Sequence, residues 1–386
     1  MPPPEATGAT VVERVRRALD GVLDPEIRRP VTELDMIGEV AETGDGVHVG
    51  VKLTIVGCPA ADRIERDVRT AAESVVGEGN AGVTLSVMTP DERRALTEKL
   101  QAGRPKRGIP FDADSLTRVY AVTSGKGGVG KSTVTANLAV ALARRGLAVG
   151  VLDADVHGFS IPGVLGMADD EGRAPRPTRV DEMILPPVAH DVKVVSIGMF
   201  VDDPQAAVAW RGPMLHRTIQ QFLTDVYWGD LDVLLLDLPP GTGDVAISVG
   251  QLLPHADVLV VTTPQPAAAD VAERSGTVAR QTGQHVYGVI ENMAGLAQPD
   301  GTVLRVFGEG GGEEVAARLS RGQDEPVPLL ASVPLSIALR EGGDEGVPVV
   351  VGHPADPAAQ AIDRVAEALA TRPRSLQGRS LGVRVR

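Results

Sequence analysis

A glycine-rich octapeptide, Gly125-Lys126-Gly127-Gly128-Val129-Gly130-Lys131-Ser132, stands between an apolar run and an amphipathic run. The apolar run, 119–122, predicts a strand, and the spacing of apolar residues over 134–145 predicts a helix. Because glycine lacks a Cβ, the backbone N–H groups of such a loop can approach a phosphate closely. Lys131 can reach the β and γ oxygens, and the Ser132 hydroxyl can bind Mg²⁺. The octapeptide therefore predicts a site for nucleotide phosphates.

Carboxylates follow two other apolar runs. Asp153 and Asp155 come after the run 148–152, and two carboxylates spaced in this way can serve a metal ion and a water molecule together. The alternative is an Asp pair that only caps the following turn. Asp237 ends the run 233–236, and an apolar strand that ends in Asp is the arrangement that holds Mg²⁺ in nucleotide hydrolases.

The elements that must position these residues are short runs rich in Val, Leu and Ile. Such runs are typical of strands buried on both faces of a parallel sheet, with helices on either side. Ligands bind such sheets at the carboxyl ends of the strands. The predicted strands are 119–122, 148–152, 192–197, 233–236, 258–261 and 286–290.

The residues before this alternation predict a small α+β domain. Helical spacing is found over 11–23 and 60–76, and strand patterns over 47–55 and 83–87. The predicted domains are residues 1–100, a Gly- and Pro-rich linker at 101–114, an α/β domain at 115–370 and a basic disordered tail at 371–386.

Composition limits the function classes. The formal net charge of -13 argues against nucleic acid as a partner. The sequence has neither an apolar run of about 18 residues nor a signal-peptide pattern, so we expect a cytoplasmic protein that does not bind membranes. The single cysteine, Cys58, excludes an internal disulfide framework and fits a reducing compartment.

Lys126, the second residue of the loop, resembles the signature lysine of the deviant Walker A ATPases, which include MinD and ParA. In that group the lysine reaches across a dimer interface to the partner's nucleotide. The resemblance therefore implies an ATP-dependent homodimer. The alternative is a solvated loop lysine.

Three further segments narrow the resemblance to the Mrp/ApbC branch, the iron-sulfur cluster carrier ATPases; they are Asp153–Pro162, Trp210–Met214 and Leu236–Val245. This resemblance implies a P-loop NTPase fold over 115–370 that uses ATP and Mg²⁺. It also implies that Asp155 orients or activates the attacking water, that Asp153 lies near the hydrated Mg²⁺, and that Asn292 contacts adenine. The implied nucleotide contacts are Gly125, Lys126, Gly127, Gly128, Val129, Gly130, Lys131, Ser132, Thr133 and Asn292.

The amino-terminal residues resemble the small domain of iron-sulfur assembly factors such as SufT. The resemblance lies in Asp24-Pro25-Glu26, Thr54 and Gly57-Cys58-Pro59. Cys58 lies where a strand gives way to a helix, so helix N–H groups could lower the pKa of its thiol and make it a ligand or nucleophile. The alternative is a small buried apolar residue.

One departure from the Mrp/ApbC pattern affects the function. The family usually carries a CxxC pair that supplies bridging cluster ligands at the dimer interface, and residues 293–306 contain no cysteine. Iron-sulfur clusters are typically held by four thiolates. A homodimer of this chain has two cysteines in total. A standard bridging cluster therefore cannot form. Any bound cluster needs Cys58 together with non-thiolate ligands, a small thiol or the client protein.

The leading hypothesis is an ATPase that assembles or carries iron-sulfur clusters and delivers them to apoproteins. Its predicted catalytic residues are Lys126, Lys131, Asp155 and Asp237, and its predicted Mg²⁺ ligands and neighbours are Ser132, Asp153 and Asp237. Two alternatives remain: an ATP-gated adaptor that binds apo clients or assembly factors without a cluster, and a positioning ATPase similar to MinD and ParA. We predict no metal at His157 or His216.

Overall fold

The computed structural model describes residues 9–44, 46–102, 108–156, 158–201, 212–298, 300–321 and 323–372. The chain forms two compact units. The first comprises 1–106 together with 177–186 and 225–229, and the second comprises 107–176, 187–224 and 230–386. The predicted tail beyond 372, His157 and the segment Trp210-Arg211 lie outside the described residues.

The elements up to residue 101 are α1 (Val11–Leu19), β1 (Ile37–Thr43), β2 (Gly46–Leu53), α2 (Ala61–Val76), β3 (Ala81–Val87) and α3 (Pro90–Gln101). They are followed by β4 (Arg118–Ser124), α4 (Lys131–Arg144), β5 (Val149–Asp153), α5 (Ile161–Val164), β6 (Thr178–Val180), β7 (Met183–Leu185), β8 (Val188–Ala189), β9 (Val192–Ser196) and a 3₁₀ turn (Ile197–Phe200). The remaining elements are α6 (Gly212–Thr224), β10 (Val233–Asp237), α7 (Asp244–Leu252), β11 (Asp257–Thr262), α8 (Pro266–Gln281), β12 (His285–Ala297), β13 (Val303–Leu304), α9 (Gly311–Ser320), β14 (Leu329–Leu335), α10 (Ile337–Glu345), α11 (Val349–Gly352) and α12 (Pro357–Thr371).

The first unit has a three-stranded sheet in the order β1-β2-β3, in which β1 and β2 are antiparallel and β2 and β3 are parallel. A hairpin from much later in the chain, β6 and β7, packs in the same apolar core. Thr178 on this hairpin donates a hydrogen bond from Oγ1 to Oε1 of Glu26 at 2.8 Å. Neither this hairpin nor β1 and α3 was predicted from the sequence.

The second unit has a nine-stranded sheet with the order β13-β12-β11-β4-β10-β5-β9-β8, and β14 pairs with β12. Its central pairs are parallel, and the antiparallel pairs are those of β13 with β12 and of β8 with β9. Helices α4 and α12 pack on one face, while α8 contacts β4, β11 and β12. The predicted α/β fold with a mostly parallel sheet is confirmed.

Every residue of β5, β9 and β10 is buried, as the continuous apolar runs predicted. The carboxyl ends of β4, β5 and β10 lie at one edge of the sheet, because these strands pair in parallel register. Asp237 thereby lies beside both Val122 and Asp153. Within the described residues, the structure has no helix long and apolar enough to cross a membrane.

Candidate nucleotide-binding site

The glycine loop joins β4 to α4, as predicted. Gly128 and Gly130 both have a φ of 77°, in the left-handed region that favours glycine. A Cβ at Gly125 would collide with the backbone of α8, and a Cβ at Gly130 would collide with the side-chain amide of Asn292. A Cβ at Gly128 would meet nothing within 4 Å. The loop is therefore packed tightly on one side and open at Gly128, as a phosphate cradle requires.

A buried carboxylate at the end of β10 lies next to the start of α4. The Lys131 ammonium is 2.6 Å from Oδ2 of Asp237, and the Ser132 hydroxyl donates to the same oxygen at 2.5 Å. Thr135 Oγ1 is 2.8 Å from the other carboxylate oxygen. The structure thus brings Lys131, Ser132 and Asp237 together. Thr135 was not predicted from the sequence, although its position four residues after Lys131 places both on one face of a helix.

The second pair of carboxylates lies at the end of β5. Oδ2 of Asp155 is 3.5 Å from the Lys131 ammonium. Asp153 is fully buried, and its carboxylate accepts hydrogen bonds from Ser196 Oγ at 2.9 Å and from the Asp155 N–H at 3.2 Å. Ser196, at the end of β9, was also missed, because a serine at a strand end has no distinctive pattern.

Burial governs the electrostatics of these carboxylates. It raises the pKa of Asp153 well above its usual value, and the charge of Asp237 raises it further. Burial also raises the pKa of Asp237, while the nearby Lys131 ammonium opposes that rise. Because the carboxylates of both Asp155 and Asp237 lie against the single Lys131 ammonium, the site favours additional positive charge.

The oxygen atoms present fit Mg²⁺. This ion is bound in nucleotide sites by one or two carboxylates, substrate phosphates and water. The Ser132 hydroxyl and the Asp237 carboxylate supply such oxygens next to the loop. Within the described residues, no group of three or more His, Cys, Asp or Glu side chains could hold a metal by itself. The donor set therefore suits an ion that arrives with a nucleotide.

Lys126, the second residue of the glycine loop, has different partners. Its ammonium donates a hydrogen bond to Oε1 of Gln265 at 2.5 Å, and its carbonyl accepts one from Ser124 Oγ at 3.1 Å. Gln265 precedes α8 and was not singled out in the sequence. In this structure the loop lysine is therefore held by its own chain.

Asn292 lies on β12, beside Val333 of β14. It is buried, and its Nδ2 donates a hydrogen bond to the carbonyl of Val129 at 2.9 Å. The structure thus places this predicted adenine contact against the phosphate loop itself. Thr133 lies in the first turn of α4, and its backbone carbonyl accepts a hydrogen bond from Nδ2 of Asn137 at 2.9 Å.

The Pro- and Gly-rich segment after Asp237 runs beside the end of β4. The Leu238 N–H donates to the Val122 carbonyl at 3.0 Å, and the Gly241 N–H donates to the Ser124 carbonyl at 2.8 Å. A movement of this segment would therefore change a hydrogen bond at Ser124, the residue immediately before the glycine loop.

Cys58 belongs to the first unit, between β2 and the start of α2, where the sequence placed it. The expected fall in its pKa is wrong. Burial raises the pKa of the Cys58 thiol to about 11, although the backbone N–H groups of Ala60 and Ala61 oppose the rise. Burial likewise raises the pKa of Glu26, whose charge disfavours the thiolate, to about 7. Desolvation of the thiolate therefore outweighs the helix N-terminus.

The chain is similar to two protein families and to several known proteins. Residues 115–370 match the family described as NUBPL iron-transfer P-loop NTPase, and residues 12–85 match the family described as iron-sulfur cluster assembly protein. An iron-sulfur cluster carrier protein of Mycobacterium bovis is 56% identical over 96% of this chain and 96% of its own. One from Synechocystis is 39% identical over 93% of this chain and 96% of its own. A solved nucleotide-binding protein of Archaeoglobus fulgidus, in complex with ADP, is 38% identical and covers 59% of this chain and 86% of its own, with a TM-score of 0.49.

Proposed function

Since the chain belongs to the family of NUBPL iron-transfer P-loop NTPases, we propose that it hydrolyses ATP with Mg²⁺ and carries iron-sulfur clusters to apoprotein clients. The observation that carries the ATPase half is the contact of Lys131 and Ser132 with the buried Asp237 at the end of the glycine loop. The carrier half is supported by full-length relatives that are named as carriers. The resemblance inferred from the motifs is confirmed by both family matches.

Each residue of the nucleotide site has a distinct task. Lys131 and the loop N–H groups stabilise the charge on the phosphates. Ser132 and Asp237 would hold Mg²⁺, which would supply positive charge to the phosphate oxygens. Asp155, whose Oδ2 lies 3.5 Å from the Lys131 ammonium, orients the attacking water. Ser196 keeps the Asp153 carboxylate turned toward the same edge of the sheet.

The proposed active form is an ATP-bound homodimer in which Lys126 leaves Gln265 and reaches the partner's nucleotide. An ammonium held by a single neutral amide can exchange that partner for phosphate oxygens, because hydrogen bonds between charged groups are stronger. Hydrolysis then removes the γ-phosphate that Lys126 binds and resets the dimer.

Lys126→Ala is expected to weaken ATP-dependent dimerisation by about tenfold or more, since one charge-assisted contact is lost in each half. Sedimentation with a non-hydrolysable ATP analogue measures this. Lys99→Ala, which removes an ammonium paired with Asp35 in the first unit, is the matched control and should dimerise normally. If the Lys126→Ala protein dimerises as well as wild type, Lys126 does not act across an interface.

The cluster site is the unusual part of this proposal. The chain has one cysteine, so Cys58 is its one possible thiolate ligand for a cluster. We propose that Cys58 binds the cluster together with non-thiolate ligands, a small thiol or the client. Its raised pKa means that the thiolate forms only when the positive charge of iron replaces the proton.

The properties of the Cys58 thiol also favour a second candidate function, that of an ATP-gated adaptor without a cluster. Cys58 is only 7% exposed and has a raised pKa, which is a poor starting point for a cluster ligand. The protein would then be an adaptor that uses ATP to gate the docking of an apo client. ATP-dependent capture of apo client without bound iron would favour this function.

The test of the carrier function is cluster delivery to a purified apo [4Fe–4S] enzyme, followed by the recovery of that enzyme's activity. We expect ATP with Mg²⁺ to accelerate delivery from the loaded protein by about fivefold or more, which corresponds to a lowering of the barrier to delivery by about 1 kcal/mol. Equal rates with and without ATP would contradict an ATP-dependent carrier. The apo enzyme with free iron and sulfide is the control.

A further inference from the structure

The two oxygens of the Asp237 carboxylate have different partners. Oδ2 accepts the Ser132 hydroxyl at 2.5 Å and lies 2.6 Å from the Lys131 ammonium. Oδ1 accepts a hydrogen bond from Oγ1 of Thr135 at 2.8 Å. In a phosphate loop, the lysine and the serine are the groups that a nucleotide and its Mg²⁺ engage. The partners of Oδ2 therefore change when a nucleotide binds, whereas the contact of Thr135 with Oδ1 can persist.

The Thr135 hydroxyl has one proton and two acceptors within reach. Besides Oδ1 of Asp237, the Lys131 carbonyl lies 2.9 Å from Oγ1, one helical turn earlier. That carbonyl is also the regular helix acceptor for the Thr135 N–H, because α4 begins at Lys131. Asp237 must be ionised to hold Mg²⁺, and an ionised carboxylate is a stronger acceptor than a backbone carbonyl. The hydroxyl proton of Thr135 therefore serves Asp237.

Both residues of this hydrogen bond lie on rigid elements. Asp237 ends β10 between β4 and β5, and its carbonyl accepts the Ala154 N–H at 2.9 Å. Thr135 is fully buried, within a run of buried residues on α4 from Val134 to Leu142. Sheet pairing fixes the main chain of Asp237 but not its side-chain torsions. The Thr135 hydroxyl restrains those torsions from a helix that cannot move without repacking of the core.

We propose that Thr135 is a positioning residue that holds the Asp237 carboxylate with Oδ2 toward the Ser132 hydroxyl, and so presets one oxygen for Mg²⁺. This inference rests on the proposed function, in which Ser132 and Asp237 hold that ion. A residue that orients a metal ligand typically changes metal affinity by about 10- to 100-fold when it is mutated. Because Thr135 acts through Asp237, its loss should appear in the Mg²⁺ requirement.

Thr135→Val removes the hydroxyl at nearly constant size. We expect the Mg²⁺ concentration that produces half of the maximal ATP affinity to rise by about tenfold. ATP affinity without Mg²⁺ and the hydrolysis rate at saturating Mg²⁺ should stay close to the wild-type values, because the loss is confined to metal affinity. Thr135→Ser keeps the hydroxyl and should keep the wild-type Mg²⁺ requirement.

Titration of the full-length protein with a fluorescent ATP analogue at a series of Mg²⁺ concentrations measures this requirement. Thr277→Val is the matched control, because Thr277 of α8 also donates to a helix carbonyl four residues earlier, that of Glu273, at 2.9 Å. The control loses the same kind of backbone contact and leaves Asp237 intact, so its Mg²⁺ requirement should not change. Melting of the nucleotide-free variants compares their folds. Thr135→Ala, which places no second methyl group beside the carboxylate, replaces Thr135→Val if the valine lowers the melting temperature more than the control does.

Three results would overturn the inference. An unchanged Mg²⁺ requirement without the hydroxyl would show that Asp237 needs no such restraint. A Thr135→Ser protein as impaired as Thr135→Val would assign the effect to packing of the methyl group. An equal loss of ATP affinity with and without Mg²⁺ would assign Thr135 to the glycine loop. A wild-type protein whose ATP affinity does not depend on Mg²⁺ would instead contradict the proposed Mg²⁺ site itself, so the two failures are distinguishable.

Discussion

Replacing Lys131 with methionine is expected to weaken ATP binding by about a hundredfold or more and to stop hydrolysis. Lys131 is 6% exposed and lies between the carboxylates of Asp155 and Asp237, where an ammonium meets the β and γ phosphates. Methionine keeps the length of the side chain and removes its charge. Titration with a fluorescent ATP analogue measures the affinity, and phosphate release measures the hydrolysis.

The same substitution should change stability in a pH-dependent way. Without Lys131, Asp237 loses a buried ionic partner, a loss that typically costs about 3 kcal/mol. Its folded-state pKa, already raised by burial, then rises further. A carboxyl whose folded pKa lies above its unfolded pKa favours folding below the unfolded value and loses that contribution as pH rises through the folded value. The penalty should therefore be smaller at pH 5 than at pH 8.

Urea unfolding of the variant at both pH values measures this penalty. Arg340→Met, which removes an exposed ion pair with Asp344 in the same unit, is the control and should cost less than about 1 kcal/mol at either pH. A penalty for Lys131→Met that does not depend on pH, or an unchanged affinity for ATP, would contradict the role assigned to this lysine.

Asp237→Asn is expected to lower Mg²⁺-dependent hydrolysis about a thousandfold, equivalent to about 4 kcal/mol in the barrier. The Asp237 carboxylate accepts hydrogen bonds from Lys131 and Ser132. The amide of asparagine has no negative charge with which to bind Mg²⁺. ATP binding without Mg²⁺ should persist, because the substitution removes a negative charge next to the phosphates. The distinguishing result is that Mg²⁺ no longer strengthens ATP binding.

The matched control for this prediction is an aspartate at the opposite end of the same strand, β10. Asp232 precedes β10, and its carboxylate accepts a hydrogen bond from the Ala148 N–H at 2.9 Å. Asp232→Asn should leave the Mg²⁺ dependence intact. If Asp237→Asn hydrolyses ATP at more than about a tenth of the wild-type rate, Asp237 is not the metal-binding carboxylate.

The nucleotide site could be predicted from the sequence because its residues occupy short patterns with a direct physical meaning. The glycine loop and the apolar run that ends in Asp237 specify adjacent positions in a parallel sheet, and the structure brings Lys131 and Asp237 into contact. The residues that support the site were not predicted from the sequence. Ser196 and Gln265 each contact a site residue through one side-chain hydrogen bond, which leaves no periodic signal, and only the helical spacing of Thr135 from Lys131 gave a hint of its contact with Asp237.

Two errors have different causes. The hairpin of β6 and β7 joins the first unit although it follows β5 of the second, and local patterns do not report contacts across 152 residues, as between Glu26 and Thr178. The direction of the Cys58 pKa shift was wrong because the sequence showed the helix start and not the burial. In the structure, burial is the larger effect.

The central claim is that this chain carries an iron-sulfur cluster with a single cysteine. The measurement that tests it most directly is the iron and acid-labile sulfide content, with the visible absorption spectrum, of anaerobically reconstituted wild-type and Cys58→Ser proteins. We predict iron and sulfide in the wild type and their loss in Cys58→Ser, since Cys58 is the chain's one thiol. Absence of iron and sulfide from the wild type would contradict the carrier function and favour the ATP-gated adaptor.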